Sequence, residues 1–250
     1  MCGRYTLISP PQAIRALFRY EELPNFPPRH NIAPAQPIMI VRLKDGKREA
    51  ALVRWGLLPS WVKDPRGFSL LINARGESVL EKPAFRAAMR RRRCLVPADG
   101  FYEWPQHGGA KRPHYIRRRS GGPMAFAGLW EIWTGPNGEE METAAIVTIG
   151  ANAALTPFHD RMPVILAPED FDAWLDPNID GPKAMTLIRP APDDLLEVYP
   201  VSAAVNRVAN DTPELIAPAG EEPEPPPQPP KAETPRKAKA KRDDGQASLF

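Results

Sequence analysis

The chain has 250 residues, of which 42% are hydrophobic and 25% charged, with 33 Lys and Arg against 30 Asp and Glu. These are ordinary proportions for a soluble globular protein, and no apolar run approaches the ~20 residues of a membrane span or the core of a secretory signal. The 32 prolines exclude a bundle of long helices, because each interior proline removes a donor and breaks the helix. Two cysteines, Cys2 and Cys94, supply neither a disulfide framework nor a zinc spacing. The expectation is a cytosolic protein with no cofactor and no metal.

In chain order, Ser9-Pro10-Pro11-Gln12 predicts a capped helix start, with Ile14, Leu17 and Phe18 on one apolar face. Strands are predicted over Pro37–Leu43 and Ala50–Leu57, then a helix opened by Pro83 with Phe85 and Met89 four apart. Further strands are predicted over Cys94–Val96, Phe101–Trp104, His114–Arg118, Met124–Trp133, Thr143–Ile149 and Met162–Leu166. Pro168-Glu169-Asp170 opens a third helix that buries Phe171, Trp174 and Leu175, and a fourth is predicted over Pro182–Ile188. Eight strands and four short helices without regular alternation predict an α+β fold, mainly antiparallel sheets curled into a barrel-like core.

The composition shifts after Ala217. From Gly220 onward almost nothing apolar remains until the last two residues, so this stretch cannot offset its ordering entropy. One domain over residues 2–218 and a disordered tail over 219–250 is the expected organisation. Residues 221–250 hold six basic and six acidic side chains, so the excess of +3 belongs to the domain.

Cys2 stands directly behind the initiator. Methionine aminopeptidase removes Met1 when the second residue is small, and the mature chain would then begin with an α-amine and a thiol on adjacent carbons. The amine, with a reference pKa of about 7.7–8.0, is partly neutral at physiological pH, and the thiol, about 8.5, supplies a nucleophilic thiolate fraction. An aldehyde meeting this pair forms a Schiff base with the amine, and the sulfur then closes a five-membered thiazolidine. The alternative is a small residue at position 2 by accident. Gly3 permits close backbone approach. Asn73, Glu103 and His159 are polar residues set among apolar ones near turns, where strand ends would present them to a shared cleft; each could equally be structural.

MCGRY at the start, NIAPAQ at 31–36, RWGLLPSW at 54–61, NARGES at 73–78, RRRCLVPADGFYEW at 91–104, HDRMPVIL at 159–166 and VSAAVNRVANDTPELIAP at 201–218 resemble the SRAP family, the SOS-response-associated peptidase domain. The motifs keep the family's order and span roughly residues 2–218. The resemblance implies single-stranded DNA binding and covalent linkage to abasic sites through the N-terminal cysteine. It implies Cys2 as nucleophile and Asn73 as the residue that positions the Cys2 amine. Glu103 would be the acid/base of the imine and ring-closing steps, and His159 would handle the proton at the deoxyribose oxygen as the ring opens. Arg4, Arg75 and Arg161 are expected to hold flanking phosphates, and Trp61 and Pro34 to stack on bases unless they serve ordinary packing. The family usually has Tyr where His30 stands.

Two cationic runs, Arg90 to Arg93 and Arg117 to Arg119, are either solvated faces or part of a groove beside Cys2. At the extreme end, Gln246, Leu249 and Phe250 resemble a bacterial sliding-clamp-binding motif, with Leu249 and Phe250 entering an apolar pocket. The leading expectation is covalent capture of abasic sites in single-stranded DNA by a nucleoid-associated, cytoplasmic monomer. The alternatives are a cysteine peptidase that uses Cys2 and His159, with no leader preceding Cys2, and a non-catalytic single-strand binder recruited by the clamp.

Overall fold

The apolar runs rich in β-branched and aromatic residues form strands, because such side chains pack well on a pleated surface. In the computed structural model, which describes residues 2–21, 26–105 and 112–220, the chain begins with β1 (Tyr5–Leu7), α1 (Pro11–Phe18), β2 (Arg29–Ile32), β3 (Pro37–Lys44), β4 (Lys47–Trp55) and β5 (Asn73–Arg75). It continues through α2 (Arg86–Arg91), β6 (Arg93–Ala98), β7 (Gly100–Glu103), β8 (His114–Arg118), β9 (Met124–Thr134) and β10 (Glu140–Gly150). Then come β11 (Arg161–Pro163), β12 (Ile165–Leu166), α3 (Phe171–Leu175), α4 (Gly181–Met185) and β13 (Leu196–Pro200).

Strands β10, β4, β3, β6 and β9 pair in a ring, since β9 pairs with both β6 and β10. The result is a closed barrel, to which β5 and β11 add on β10 and β12 adds on β9. A second, wholly antiparallel sheet runs β13-β8-β7-β1-β2. The fold is thus mainly antiparallel, and only the pairings of β10 with β4 and with β5 are parallel. Every residue of β6 is buried, which explains why the strand after Arg93 reads as a continuous apolar run and not an alternating one. Tyr5 bridges the sheets, its ring edge-on to Trp55 at 5.3 Å and to Phe126 at 6.2 Å.

Four strands escape the sequence reading: β1, β2, β5 and β13. Three to five residues long, with polar content such as Arg-His-Asn-Ile and Asn-Ala-Arg, they carry too little periodicity and form only because neighbours supply hydrogen-bond partners. The expected strand Met162–Leu166 is divided at Val164. There the Val164 N–H donates to Val147 O and its carbonyl accepts from Ala127 N–H, both at 2.9 Å, so the chain crosses from β10 to β9.

The capping box at Ser9 does not form. Pro10 takes the N-cap place of α1 without a side-chain cap. Ser9 instead turns to Asp99, which accepts from Ile8 N–H at 2.6 Å, from Ser9 N–H at 2.8 Å and from the Ser9 hydroxyl. The fourth helix ends at Met185, after which Leu187 and Ile188 continue in tighter i→i+3 turns.

The first cationic run is divided by burial. Arg93 is 3% exposed and its guanidinium donates to the carbonyls of Met89, Trp174, Asp176 and Ile179, tying β6 to the ends of α2 and α3. Arg92 pairs with Glu131 at 2.6 Å, while Arg90 and Arg91 are exposed. In the second run Arg117 pairs with Glu197 at 2.6 Å, and Arg118 and Arg119 donate to backbone carbonyls. Arg93→Ala is expected to cost about 2–4 kcal/mol, because several buried carbonyls lose their donors together. Chemical unfolding checks this, and a loss below ~0.5 kcal/mol contradicts the assignment.

No described helix is long and apolar enough to cross a membrane. Residues 221–250, with Gln246, Leu249 and Phe250, lie outside the described residues.

Candidate functional site

β1 pairs antiparallel with β7, Tyr5 facing Phe101 and Thr6 facing Gly100. The ladder extends one step, because Tyr102 N–H donates to Arg4 O at 2.9 Å. Residues preceding β1 therefore run alongside the end of β7, which brings Cys2 toward Glu103. Gly100 makes the approach of β8 possible, since a Cβ there would collide with the Tyr115 ring.

The other half of the site hangs on β10. On one side β5 runs parallel to it, with Asn73 facing Ile146 and Arg75 facing Thr148. The carbonyl of Ile72 accepts from Trp55 Nε1 at 2.9 Å and from Ile146 N–H at 3.0 Å, which fixes the backbone immediately before Asn73. On the other side lies β11, with Arg161 facing Gly150. His159 ends the loop between β10 and β11. Asn152 shapes that loop, its Nδ2 donating to Ala191 O at 3.0 Å and its Oδ1 accepting from Leu155 N–H at 3.1 Å. His159 N–H then donates to Leu155 O at 3.0 Å.

The halves meet at Cys2. Asn73 Nδ2 donates to Cys2 O at 2.9 Å. Cys2 is fully buried, and Glu103 is 4% exposed. Burial first, and the Glu103 carboxylate second, push the Cys2 thiol well above its usual range, so the resting sulfur is protonated. Burial raises the Glu103 carboxyl from 4.5 to about 7, against the opposing pull of the positive amino terminus. Burial lowers His159, helped by the same terminal charge and opposed by Asp160, so the ring is neutral at pH 7. Its Nδ1 lies 2.9 Å from Arg161 N, which donates to it in the neutral ring. Asp160 Oδ1 lies 2.7 Å from the same nitrogen and becomes an ion-pair partner only when the ring is protonated. Cys2, Asn73, Glu103 and His159 thus share one electrostatic neighbourhood. Among the described residues no group of three or more His, Cys, Asp or Glu is placed to hold a metal ion.

The residues expected to bind DNA are placed less uniformly. Arg75 is exposed. Arg161 grips both carboxylate oxygens of Glu77 and donates to Thr148 O at 2.8 Å; that contact holds Glu77 below its usual range. Arg4 donates through Nη1 to Asn31 Oδ1 at 2.7 Å and Val205 O at 2.8 Å. Trp61 is 58% exposed, and Pro34 is half-buried in the turn between β2 and β3. His30 lends its carbonyl to Tyr102 Oη at 2.7 Å and its N–H to Asp211.

Sequence reasoning missed Asn31, Glu77 and Asn152. Asn31 is fully buried, and its Nδ2 donates to Val205 O, Arg207 O and Asn210 O. It thereby anchors both Arg4 and the 201–218 segment. Asn31 and Glu77 lie inside conspicuous motifs, NIAPAQ and NARGES, but their partners are 27 to 179 residues away.

Fold and site together define a β-barrel protein with a buried thiol at its second residue, flanked by an amide, a carboxyl and an imidazole. The chain belongs to the SOS response associated peptidase (SRAP) family, whose model matches residues 1–208. It is similar to the abasic site processing protein YoqW of Bacillus subtilis, 40% identical over 221 residues that make up 86% of this chain and 99% of that protein. The abasic site processing protein HMCES of Gallus gallus is 37% identical over 191 residues, 66% of this chain and 56% of its own length. A crystal structure of a Bacteroides thetaiotaomicron protein shares the fold with a TM-score of 0.78 at 24% identity, covering 87% of this chain and all of that one. A phage-related protein of Bordetella bronchiseptica, at 33% identity, gives 0.65 over 80% of this chain and 94% of its own.

Proposed function

We propose that this protein captures abasic sites in single-stranded DNA as a thiazolidine on Cys2. The reading is carried by the Asn73 bond to Cys2 O and the coupling of the Glu103 carboxylate to the Cys2 thiol, with His159 coupled to the same amino terminus. The names of the relatives support the same class of substrate.

Removal of Met1 frees the Cys2 α-amine. An abasic deoxyribose is mostly a closed hemiacetal. His159, in the protonated form that Asp160 favours, gives a proton to the ring oxygen as the aldehyde opens and recovers one from the anomeric hydroxyl, so the step leaves no net charge. The amine adds to the aldehyde carbon and one water leaves, giving an imine held by Asn73. The Cys2 S–H then adds across C=N: a C–S bond forms, the thiol proton passes through Glu103 to nitrogen, and the ring closes. The balance is amine, thiol and aldehyde in, thiazolidine and one water out, with no oxidant or reductant. A carboxyl near 7 is matched to both proton transfers at neutral pH. The sulfur is protonated at rest, so it needs such a base at the moment of attack.

Peptidase chemistry needs only a thiol and a base, whereas thiazolidine closure requires both the thiol and the free α-amine that a cysteine directly behind Met1 supplies. Arg75, Arg161 and Arg4 supply positive charge for flanking phosphates, and Arg161 reaches them by exchanging Glu77 for phosphate.

The test is a denaturing gel of the protein with single-stranded DNA carrying one uracil, with and without uracil glycosylase and without borohydride. A shifted band that needs the glycosylase supports the reading, because an unreduced Schiff base does not survive denaturation. Absence of the band contradicts it.

The tail joins this function through the clamp. Deletion of Gln246 to Phe250 is expected to abolish binding to a bacterial sliding clamp while leaving crosslinking of naked DNA unchanged. Retained clamp binding would make the terminal motif a chance match.

A further inference from the structure

The β7–β8 ladder gives Glu103 a neighbour that the capture chemistry leaves unused. Phe101 lies opposite Ile116, and two residues further along Glu103 lies opposite His114. Phe101 and Ile116 are fully buried, and Phe101 packs on Phe126 of the barrel at 5.8 Å. Side chains two apart on a strand share a face, so Glu103 and His114 leave the sheet on this barrel side too. Directly opposed residues of an antiparallel pair have Cβ atoms about 4.5–5.5 Å apart, which sets imidazole and carboxyl side by side. On the other flank the register of β1, carried back from Tyr5, sets Gly3 opposite Glu103, and glycine has no side chain to cover it.

His114 is fixed in place. A carbonyl only accepts, so the 3.0 Å contact of its Nδ1 with Arg112 O is an N–H donation that orients the ring. Phe158 lies on that ring, with centroids 4.8 Å apart and planes tilted by 51°. One tight turn sets both Phe158 and His159, whose N–H groups donate to Leu155 O at 2.8 and 3.0 Å. The ring contact therefore docks the turn that carries His159 onto the strand beside Glu103. His114 and Phe158 are half-buried, whereas Glu103 is 4% exposed, as expected of an outer layer over a dry carboxyl.

We infer that the His114–Phe158 pair is the wall that keeps water from the Glu103 carboxyl and holds the His159 turn beside it. Both are positioning residues for capture, so the inference rests on the thiazolidine reading. The charges facing the carboxyl are the amino terminus and the Cys2 thiol on the β1 side and Asp160 on the loop, and His159 shares the same terminus. Burial lowers His114 from 6.5; its bond to Arg112 O opposes this and the Arg112 charge assists, so the ring is neutral near pH 7. Replacing it removes cover without changing charge.

The experiment titrates the free full chain with isotope-labelled glutamate carboxyls followed by carbon NMR. Glu103 is identified as the signal that Glu103→Gln removes. The wild-type midpoint is expected at about 7. His114→Ala and Phe158→Ala open the wall from either side, and in both the midpoint is expected to fall toward the ordinary 4.5. His114→Phe keeps a ring on Phe158 and is expected to hold the wild-type midpoint. At saturating abasic DNA the two alanine variants should capture roughly three- to tenfold more slowly, because the proton-handling groups lose their alignment. Their affinity for a strand carrying tetrahydrofuran, an abasic analogue without an aldehyde, should stay near wild type.

An unchanged midpoint in either folded alanine variant overturns the inference, as does a fallen midpoint with an unchanged rate. So does a midpoint that falls as far in His114→Phe as in His114→Ala, which would give the role to the Arg112 bond. A loss of affinity at an unchanged saturating rate would make the pair a strand contact instead. The titration uses no DNA. A wild type that forms no adduct therefore sinks the thiazolidine reading alone, and the midpoints still decide the wall.

Discussion

Cys2→Ala is expected to form no adduct that survives denaturation, while its affinity for single-stranded DNA stays within about threefold of wild type. Alanine is small enough for Met1 to be removed, so the variant keeps an α-amine and loses only the sulfur. Imine formation therefore remains open and ring closure does not. Adding borohydride should restore a band in the variant, because reduction traps the imine that sulfur would otherwise have captured. This comparison separates amine chemistry from thiol chemistry within one residue. A variant that gives the wild-type adduct without borohydride would remove sulfur from the mechanism. Joint loss of affinity and linkage would reduce Cys2 to a structural residue, which its complete burial makes a real competitor.

Glu103→Gln is expected to slow adduct formation by about 10²–10⁴, the usual worth of a positioned acid or base, with DNA affinity nearly unchanged. The wild-type rate should rise with pH through about 7, where the carboxyl ionises and becomes able to accept the thiol proton. The variant should be flat across that window. Stability should move the opposite way. Folding raises this carboxyl from 4.5 to about 7, so between those values the native state holds a proton that the unfolded state has released. Stability from this group is present below pH 4.5 and is lost as pH rises through about 7. Glutamine carries no charge to desolvate, so at pH 8 the variant should be more stable than wild type by about 1–3 kcal/mol. Equal rates, or a less stable variant at pH 8, would take Glu103 out of the proton transfers. A gain in stability with a loss in rate marks a carboxyl kept buried for its chemistry.

Much of this molecule is legible in its sequence, and the reason is physical. The strands of the barrel are long and bury their faces, so β3, β4, β6, β9 and β10 announce themselves as apolar runs bounded by Gly and Pro. His114–Arg118 is read to the residue, because Pro113 and the Ser120-Gly121-Gly122 turn bound it. The third helix is equally clear, since Phe171, Trp174 and Leu175 lie at helical spacing and are all buried. Cys2 is legible for a chemical reason: only a residue at the amino terminus can offer a thiol and an amine on adjacent carbons.

Tertiary structure alone decided the rest. Ser9-Pro10-Pro11-Gln12 reads locally as a capping box, but Asp99, ninety residues away, offers Ser9 a stronger acceptor and wins it. β5 exists because β10 and Trp55 hold Asn73-Ala74-Arg75 and the carbonyl before it; nothing in three mixed residues specifies a strand. Arg90 to Arg93 look alike in sequence, yet one is buried among carbonyls, one is paired and two face solvent. Which cation is structural depends on where the axis of α2 lies over the barrel. Sequence therefore determined the elements that bury their own apolar faces and the chemistry confined to one residue. The sequence motifs named Asn73, Glu103 and His159, but the fold decided which partners the polar side chains meet, because a charge or amide finds a distant partner only once the barrel has closed.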